Sequence, residues 1–475
     1  MSDSAAVPSR EEQLFAAALH FHSRGEIEAA KLHYLAVLQL NPTHFLALQN
    51  LGAALIALGK FHASVAVSRR AKKIQPKSLH VMSNLANALT RLRHYDEAEA
   101  LLIECTRMME KDEAERKEQN LALDESNAGI WHNYALVKFI LGDYKKALAG
   151  FDKSLQIKPD TVSVLADRGL CLLSLGHIQD GLAAYEVRWE ALYKSRIWEL
   201  PIIQWQGEDL SGRHILVHHE QGFGDGIMFS RFLQNLNAMG ATITVACPPS
   251  LHELYETNFP YVTAKNWEDL DSVGSGYDYH VPMMSLMRWL NIKSPADINS
   301  APYLKAHKGF EFRPSLQSNA KKIGICWSSG NHGPNLSERR RDIPLELFLP
   351  LLEQSDVTLV SLQKGDNERD IVRCGVESLI HNPMGKIENF ADTAAVIQYL
   401  DLVVTVDSAV AHLAGAMGKK VYMLGPYTRC WRWWSVSTGR PWYNDMKVFT
   451  QSIDGTWNAA VRSVVQNIKR GEYLS

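Results

Sequence analysis

Two stretches of the chain place acidic side chains where an apolar run ends. The stretch from Asp401 to Pro426 reads DLVVTVDSAVAHLAGAMGKKVYMLGP. Leu402 to Val406 is apolar and rich in β-branched residues, the composition of a strand buried on both faces of a parallel sheet. Asp407 and Ser408 follow it, then an Ala-rich helical segment to Met417, a stop at Gly418 and a second strand, Val421 to Leu424. Open parallel sheets bind ligands outside the carboxyl ends of their strands. The free backbone N–H groups of Ser408, Ala409 and Val410 would attract an anion such as a diphosphate, and the small side chains there let it come close. Asp407 is placed either to accept hydrogen bonds from sugar hydroxyls or to cap the helix. His412 is grouped with this anion site, although a lone helix histidine is more often a packing residue.

The second stretch is HILVHHEQGFGDGIMFSRFLQNLNAMGATITVAC. A strand at Ile215 to His218, a glycine-punctuated loop at Glu220 to Gly226, a helix at Ile227 to Met239 and a strand at Ile243 to Ala246 make a βαβ unit. The loop Gly222-Phe223-Gly224-Asp225-Gly226 lacks the glycine spacing of the dinucleotide fingerprint.

Other positions gather around these two. A strand at Ile323 to Trp327 opens onto a polar loop with Ser328, Ser329, Asn331 and Arg339 to Arg341. The exit of the strand in Val357 to Gly365 carries Gln363, expected to contact the base or ribose of a nucleotide. Asp278 and His280 are expected at a strand end facing the cleft, where an acceptor would sit. Asp269-Leu270-Asp271 spells DxD but adjoins no apolar strand and reads as surface charge. Pro426 to Trp434, PYTRCWRWW, offers aromatics and arginines either to cover a ligand or to pack.

The elements that position these residues are preceded by a repeat array. Pro42 and Pro76, and Gly25 and Gly59, are separated by the tetratricopeptide period of ~34 residues. Five units fall into register, with Ala30 and Tyr34 opposite Ser64 and Ser68, and further units around Ala98, Phe151 and Tyr185. Such an array gains its core only by stacking and leaves a concave surface for a peptide or protein. The polar ridge Asn50, Asn84, Asn87 and Asn133 is a candidate for bonding a peptide backbone. Between Cys105 and Asn127 the register breaks, and charges of both signs interleave as on a long solvated helix. Trp189, Trp198 and Trp205 mark the junction, where modules are expected to pack.

With 475 residues there is room for two or three domains. A formal charge of -2 and pI near 6.8 give no attraction to nucleic acid. Six cysteines without CxxC spacing argue against zinc or a disulfide framework and suit a reducing cytoplasm. The polar start shows no signal peptide, and no apolar run of about 18 residues predicts a membrane span.

The Gly224-Asp225 loop after a first strand, paired with Asp407-Ser-Ala-Val-Ala-His412, resembles the ADP-heptose heptosyltransferase group of GT-B glycosyltransferases. With repeats in front, the whole is similar to bacterial tetratricopeptide-repeat glycosyltransferases, some of which modify flagellin. The resemblance implies an α plus α/β architecture: a tetratricopeptide superhelix over 1–190, then a GT-B unit of two doubly wound parallel-sheet halves, the acceptor half at 191–309 and the donor half at 310–475. It implies that Asp225 is the general base, with Glu220 either holding the loop or assisting it, and Gly224 near the acceptor. It implies that Ser328, Asn331, Arg339 and Arg341 face the leaving diphosphate, with Arg341 nearest the helix. The expected activity is metal-independent, inverting transfer of a sugar to Ser/Thr hydroxyls of a protein held by the repeats. The nucleotide sugar is a co-substrate, and no cofactor or metal is implied. Transfer to lipopolysaccharide or another glycan, or a non-catalytic repeat scaffold, are the alternatives.

Overall fold

The computed structural model describes residues 8–119, 122, 124–189, 200–270, 276–307, 320–329, 341–428, 430–433 and 442–472. The chain divides into two compact units, 1–171 and 172–475, and the division falls inside helix Val162–Leu175.

The first unit is built of antiparallel helix pairs. Phe45–Ala57 with Phe61–Ile74 is followed by Leu79–Arg91 with Tyr95–Glu118, then Ala128–Ile140 with Tyr144–Ile157. Small residues stand where paired helices cross: a Cβ on Gly52 would lie 2.8 Å from Ser68 Oγ, and one on Gly150 would lie 3.0 Å from Ala135 Cβ. Tyr34, Trp131 and Phe151 fill the gaps between pairs and are buried. Helix Tyr95–Glu118 runs to 24 residues where its counterpart Phe61–Ile74 has 14, so the broken register is a plain helical extension. The asparagine ridge is bonded internally. Asn87 Nδ2 donates to Asn133 Oδ1 at 3.2 Å, Asn133 Nδ2 to Ser83 Oγ at 2.9 Å and Asn84 Nδ2 to the Gln49 carbonyl at 3.3 Å. These three amides tie successive repeats together.

The second unit holds two all-parallel sheets. Strands β1 (Ile203–Gln204), β2 (His214–His218), β3 (Thr242–Ala246), β4 (Val262–Lys265) and β5 (Tyr279–Pro282) lie in the order β1-β5-β2-β3-β4. Strands β6 (Lys321–Cys326), β7 (Val357–Ser361), β8 (Ile380–His381), β9 (Leu402–Val406), β10 (Val421–Gly425) and β11 (Met446–Thr450) lie in the order β11-β10-β9-β6-β7-β8. Every residue of β9 and β10 is buried, as the unbroken apolar runs require. Ile323, Leu359, Val404 and Leu424 form the centre of a core closed by Val461, Val464 and Ile468 of helix Asn458–Lys469. Burying each such side chain contributes about 1.5–3 kcal/mol relative to exposure.

Each sheet reverses its strand order once, between β2 and β5 and between β6 and β9. Such switch points open a crevice outside the strand ends, because the connections on either side leave in opposite directions. The Glu220–Gly226 loop follows β2, the Ser328 loop follows β6 and Asp407 follows β9. The fold is that of a GT-B-like pair of parallel-sheet domains behind a tetratricopeptide-like helical region. The domain bounds expected at 190/191 and 309/310 lie at or within segments outside the described residues.

Candidate active site

The loop after β2 is shaped by close approaches. Gln221 adopts φ 63°, a left-handed conformation that costs free energy in a non-glycine residue and marks a backbone held by its surroundings. Its side chain is gripped at both ends: Nε2 donates to Tyr185 Oη at 3.2 Å and Oε1 accepts from Arg432 Nη2 at 3.1 Å. Gly222 then starts helix Phe223–Phe229, and its N–H donates to Asp225 Oδ2 at 3.3 Å. Two glycines of the loop are required by contact. A Cβ on Gly224 would lie 2.8 Å from His412 Cδ2 and 3.4 Å from Ala409 Cα, while one on Gly226 would overlap the His219 ring and lie 2.9 Å from Tyr255 Oη. The loop of the first sheet therefore rests directly on the start of helix Ala409–Ala416 in the second.

Asp225 is partly exposed and its Oδ1 is 2.6 Å from Arg432 Nη2. Beside it, His219 is pushed down to about 4 by burial, against the pull of Asp225, and is neutral at pH 7. Glu220 is not free to assist a base. Its carboxylate, 5% exposed, takes Arg188 Nε at 2.8 Å and Nη2 at 2.9 Å, and accepts the Met284 N–H at 2.9 Å. It holds the loop, the first of its two expected roles.

At the expected donor site, Ser408 begins helix Ala409–Ala416, but its Oγ turns to Thr405 Oγ1 at 3.0 Å and makes no capping bond. Asp407 lies before the cap position, so the positive helix end carries no side-chain cap. Arg341 approaches from the loop after β6: Nη1 donates to the Asp407 carbonyl at 3.1 Å and Nε stands 3.7 Å from Asp407 Oδ2. Ser328 Oγ donates to Asp342 Oδ1 at 2.7 Å, and the same oxygen accepts the Ser329 N–H at 3.1 Å. Asn331 and Arg339, both expected here, lie outside the described residues, as do Arg340, Trp198 and Asp271.

Four expectations change. Asp278 precedes β5, at the amino end of the sheet and away from the crevice, where it pairs with Arg213 Nη1 at 2.9 Å and accepts the His214 N–H at 2.8 Å. His280 lies within β5, buried and stacked on His218, with Nδ1 3.1 Å from His218 Nε2. Burial pushes His280 down to about 4. Gln363 is spent on its neighbours: Oε1 accepts the N–H groups of Trp327 and Ser328 at 3.1 and 2.8 Å, and Nε2 donates to the Lys364 carbonyl at 3.1 Å. It organises the Ser328 loop instead of reading a base. His412 packs, with Nδ1 3.0 Å from Tyr443 Oη and its ring stacked on Trp433 at 5.0 Å. Burial, opposed by Asp407 and Asp225, pushes it down to about 4.

Arg432, Arg188 and Asp342 are the residues that reasoning from sequence passed over. Only Arg432 left a trace, as one arginine of an aromatic cluster with no partner assigned. Among the described residues no cluster of three or more His, Cys, Asp or Glu is arranged to hold a metal.

Residues 346–449 match the family model for glycosyltransferase family 9 (heptosyltransferase), and residues 46–78, 78–111 and 128–161 match tetratricopeptide repeat models. The chain joins tetratricopeptide repeats to a glycosyltransferase family 9 domain. It is a glycosyltransferase. The match takes in Gln363, Asp407 to His412 and Arg432, and begins after Ser328 and Arg341. Protein FlbA of Caulobacter vibrioides is 26% identical over 451 residues, 88% of this transferase and 72% of that protein. Among solved structures, the thermophilic TPR protein TTC0263 of Thermus thermophilus is 20% identical, covering 39% of this chain and 93% of its own, at a TM-score of 0.32. PilF of Pseudomonas aeruginosa is 15% identical over 53% of this chain and 92% of its own, at 0.33. Among the described residues, no helix of the transferase is long and apolar enough to cross a membrane.

Proposed function

We propose that the transferase moves a sugar from a nucleotide-sugar donor to Ser/Thr hydroxyls of a protein held by its repeats, without a metal and with inversion at the anomeric carbon. The observation that carries this reading is the meeting of the Gly224-Asp225 loop with the start of helix Ala409–Ala416, where a Cβ on Gly224 would lie 3.4 Å from Ala409 Cα and only 2.8 Å from His412 Cδ2. A diphosphate at that helix start lies within one residue's reach of the only loop carboxylate left partly exposed, Asp225. The acceptor oxygen attacks the anomeric carbon on the face opposite the diphosphate, and the bond to phosphate breaks with its electron pair on the nucleotide. The hydroxyl proton passes to Asp225. Charge growing on the leaving phosphate meets the helix N–H groups and Arg341, which are pre-oriented and need no rearrangement. Flagellin is the acceptor the sequence resemblance brings forward.

Thermal melting across a panel of nucleotide sugars tests the donor site, with Asp407→Ala as control. A ligand at about 100 times its Kd stabilises by roughly 2.7 kcal/mol. A rise with one nucleotide class, lost in the variant, is expected, and no rise with any of them refutes the site. Mass mapping of flagellin incubated with that donor then tests the acceptor. Sugar found only on a glycan overturns the protein-acceptor reading.

A further inference from the structure

Asp225 has a conflict of roles. As a base it must accept a proton, yet its Oδ1 stands 2.6 Å from Arg432 Nη2. Arg432 has the complementary difficulty. It is 9% exposed, its Nη2 donates to Gln221 Oε1 at 3.1 Å as well as to Asp225, and its Nη1 donates to Cys430 Sγ at 2.9 Å. Its Nε is buried with no hydrogen-bond partner among the described residues. A guanidinium carries five N–H donors, and leaving one buried and unbonded costs free energy. Both observations call for a second anion beside Arg432.

The position of Arg432 identifies that anion by chemistry. Trp433, the next residue, stacks on His412 of helix Ala409–Ala416, and Gly224, the residue before Asp225, lies over Ala409 and His412. Arg432 is thus bonded to the base and linked to the helix start through its neighbour Trp433. Arg341 lies against Asp407, and its Nε is likewise buried and without a hydrogen bond.

We propose that Arg432 is shared between Asp225 and the donor's diphosphate, pairing with the carboxylate before the donor binds and with the diphosphate afterwards. Donor binding then does two things at once: it supplies a cation to the leaving group and frees Asp225 to take a proton. This rests on the donor site argued above. Its consequence is an order of events in which the donor arms the base, so that an acceptor arriving first meets a carboxylate still paired.

Asp225 and the diphosphate compete for one cation, so removing the Asp225 charge must strengthen binding of the diphosphate. Calorimetric titration with UDP, ADP, GDP and CDP tests this without turnover. For whichever nucleotide the wild type binds, Asp225→Asn is expected to tighten affinity about 3- to 10-fold. Arg432→Gln is expected to weaken it about 10- to 100-fold, the worth of a hydrogen bond to a charged group. Asp225→Asn added to Arg432→Gln is expected to change nothing further, and Arg432→Lys to keep much of the affinity. Melting curves confirm that each variant is folded. Affinity unchanged or weakened by Asp225→Asn overturns the sharing, as does equal tightening in the Arg432→Gln background. A wild type that binds none of the four nucleotides overturns the donor site itself, and the sharing with it.

Discussion

Replacing Glu220 by alanine should unfold the second unit far more readily than the loss of an ordinary side chain, and the size follows from what would be left behind. Arg188 is 1% exposed and Glu220 5%. Two guanidinium nitrogens meet the carboxylate at 2.8 and 2.9 Å, and the Met284 N–H adds a third bond at 2.9 Å. Without Glu220 the buried guanidinium keeps a single carboxylate among the described residues, Glu186 at 3.0 Å and nearer the surface, beside the neutral Ser285 hydroxyl at 2.8 Å and the Tyr185 carbonyl at 3.2 Å. Removing one partner of such a pair costs about 3–5 kcal/mol, mostly the penalty of the stranded charge. Arg188→Met with Glu220→Leu removes both charges and fills the volume, so the double variant should cost less than either single one. Urea unfolding followed by tryptophan fluorescence is the assay, since every tryptophan except Trp131 belongs to the second unit. A Glu220→Ala cost under about 1 kcal/mol, or a double variant that costs the sum of the singles, would refute the argument.

Gly226→Ala would drive a methyl group into His219 and Tyr255, and should destabilise by about 1–3 kcal/mol as overpacked sites do, read from the same unfolding curves. Asp342→Ala strips Ser328 Oγ and the Ser329 N–H of their acceptor and should weaken nucleotide-sugar binding in calorimetry while leaving the melting temperature within a few degrees. Three buried histidines give the second unit a pH dependence with a definite sign. His219, His280 and His412 fall from an ordinary 6.5 to about 4. Between those values the unfolded chain binds more protons, so stability rises with pH and is lost as pH falls from 6.5 towards 4. Each group contributes a slope of up to about 1.4 kcal/mol per pH unit. Melting temperatures from pH 7 to pH 4.5 check it, and a flat profile would contradict neutral burial.

What was legible in the sequence is what local rules determine. The repeat period showed because each pair of helices meets its neighbours at a fixed spacing, and Asp407 could be placed because β9 is an unbroken apolar run ending at Val406. Where a polar side chain points was less legible. Asp278 sits just before its strand instead of after it, which puts it at the opposite edge of the sheet. Gln363 does leave a strand on the crevice side, but a terminal amide there can serve a neighbouring loop as well as a ligand, and the two backbone N–H groups after Cys326 claim it. The glycines of the Gly222–Gly226 loop look like turn residues, yet Gly224 and Gly226 are dictated by His412 and His219. Arg432 and Asp225 are 207 positions apart (432 minus 225) and on different sheets, so no local rule could pair them.

The two units also differ in when they can form on a ribosome. Each helix pair of the first unit contacts partners within a few tens of residues, so the array can settle repeat by repeat as it emerges. The second sheet cannot. β9 pairs with β6 across 79 positions (402 minus 323), and the core beneath it is completed only by Val464 and Ile468. Closing such long loops is slow. The repeat surface therefore exists before the transferase sheets do, and under the proposed function a nascent chain can be engaged by its protein acceptor while still unable to act on it.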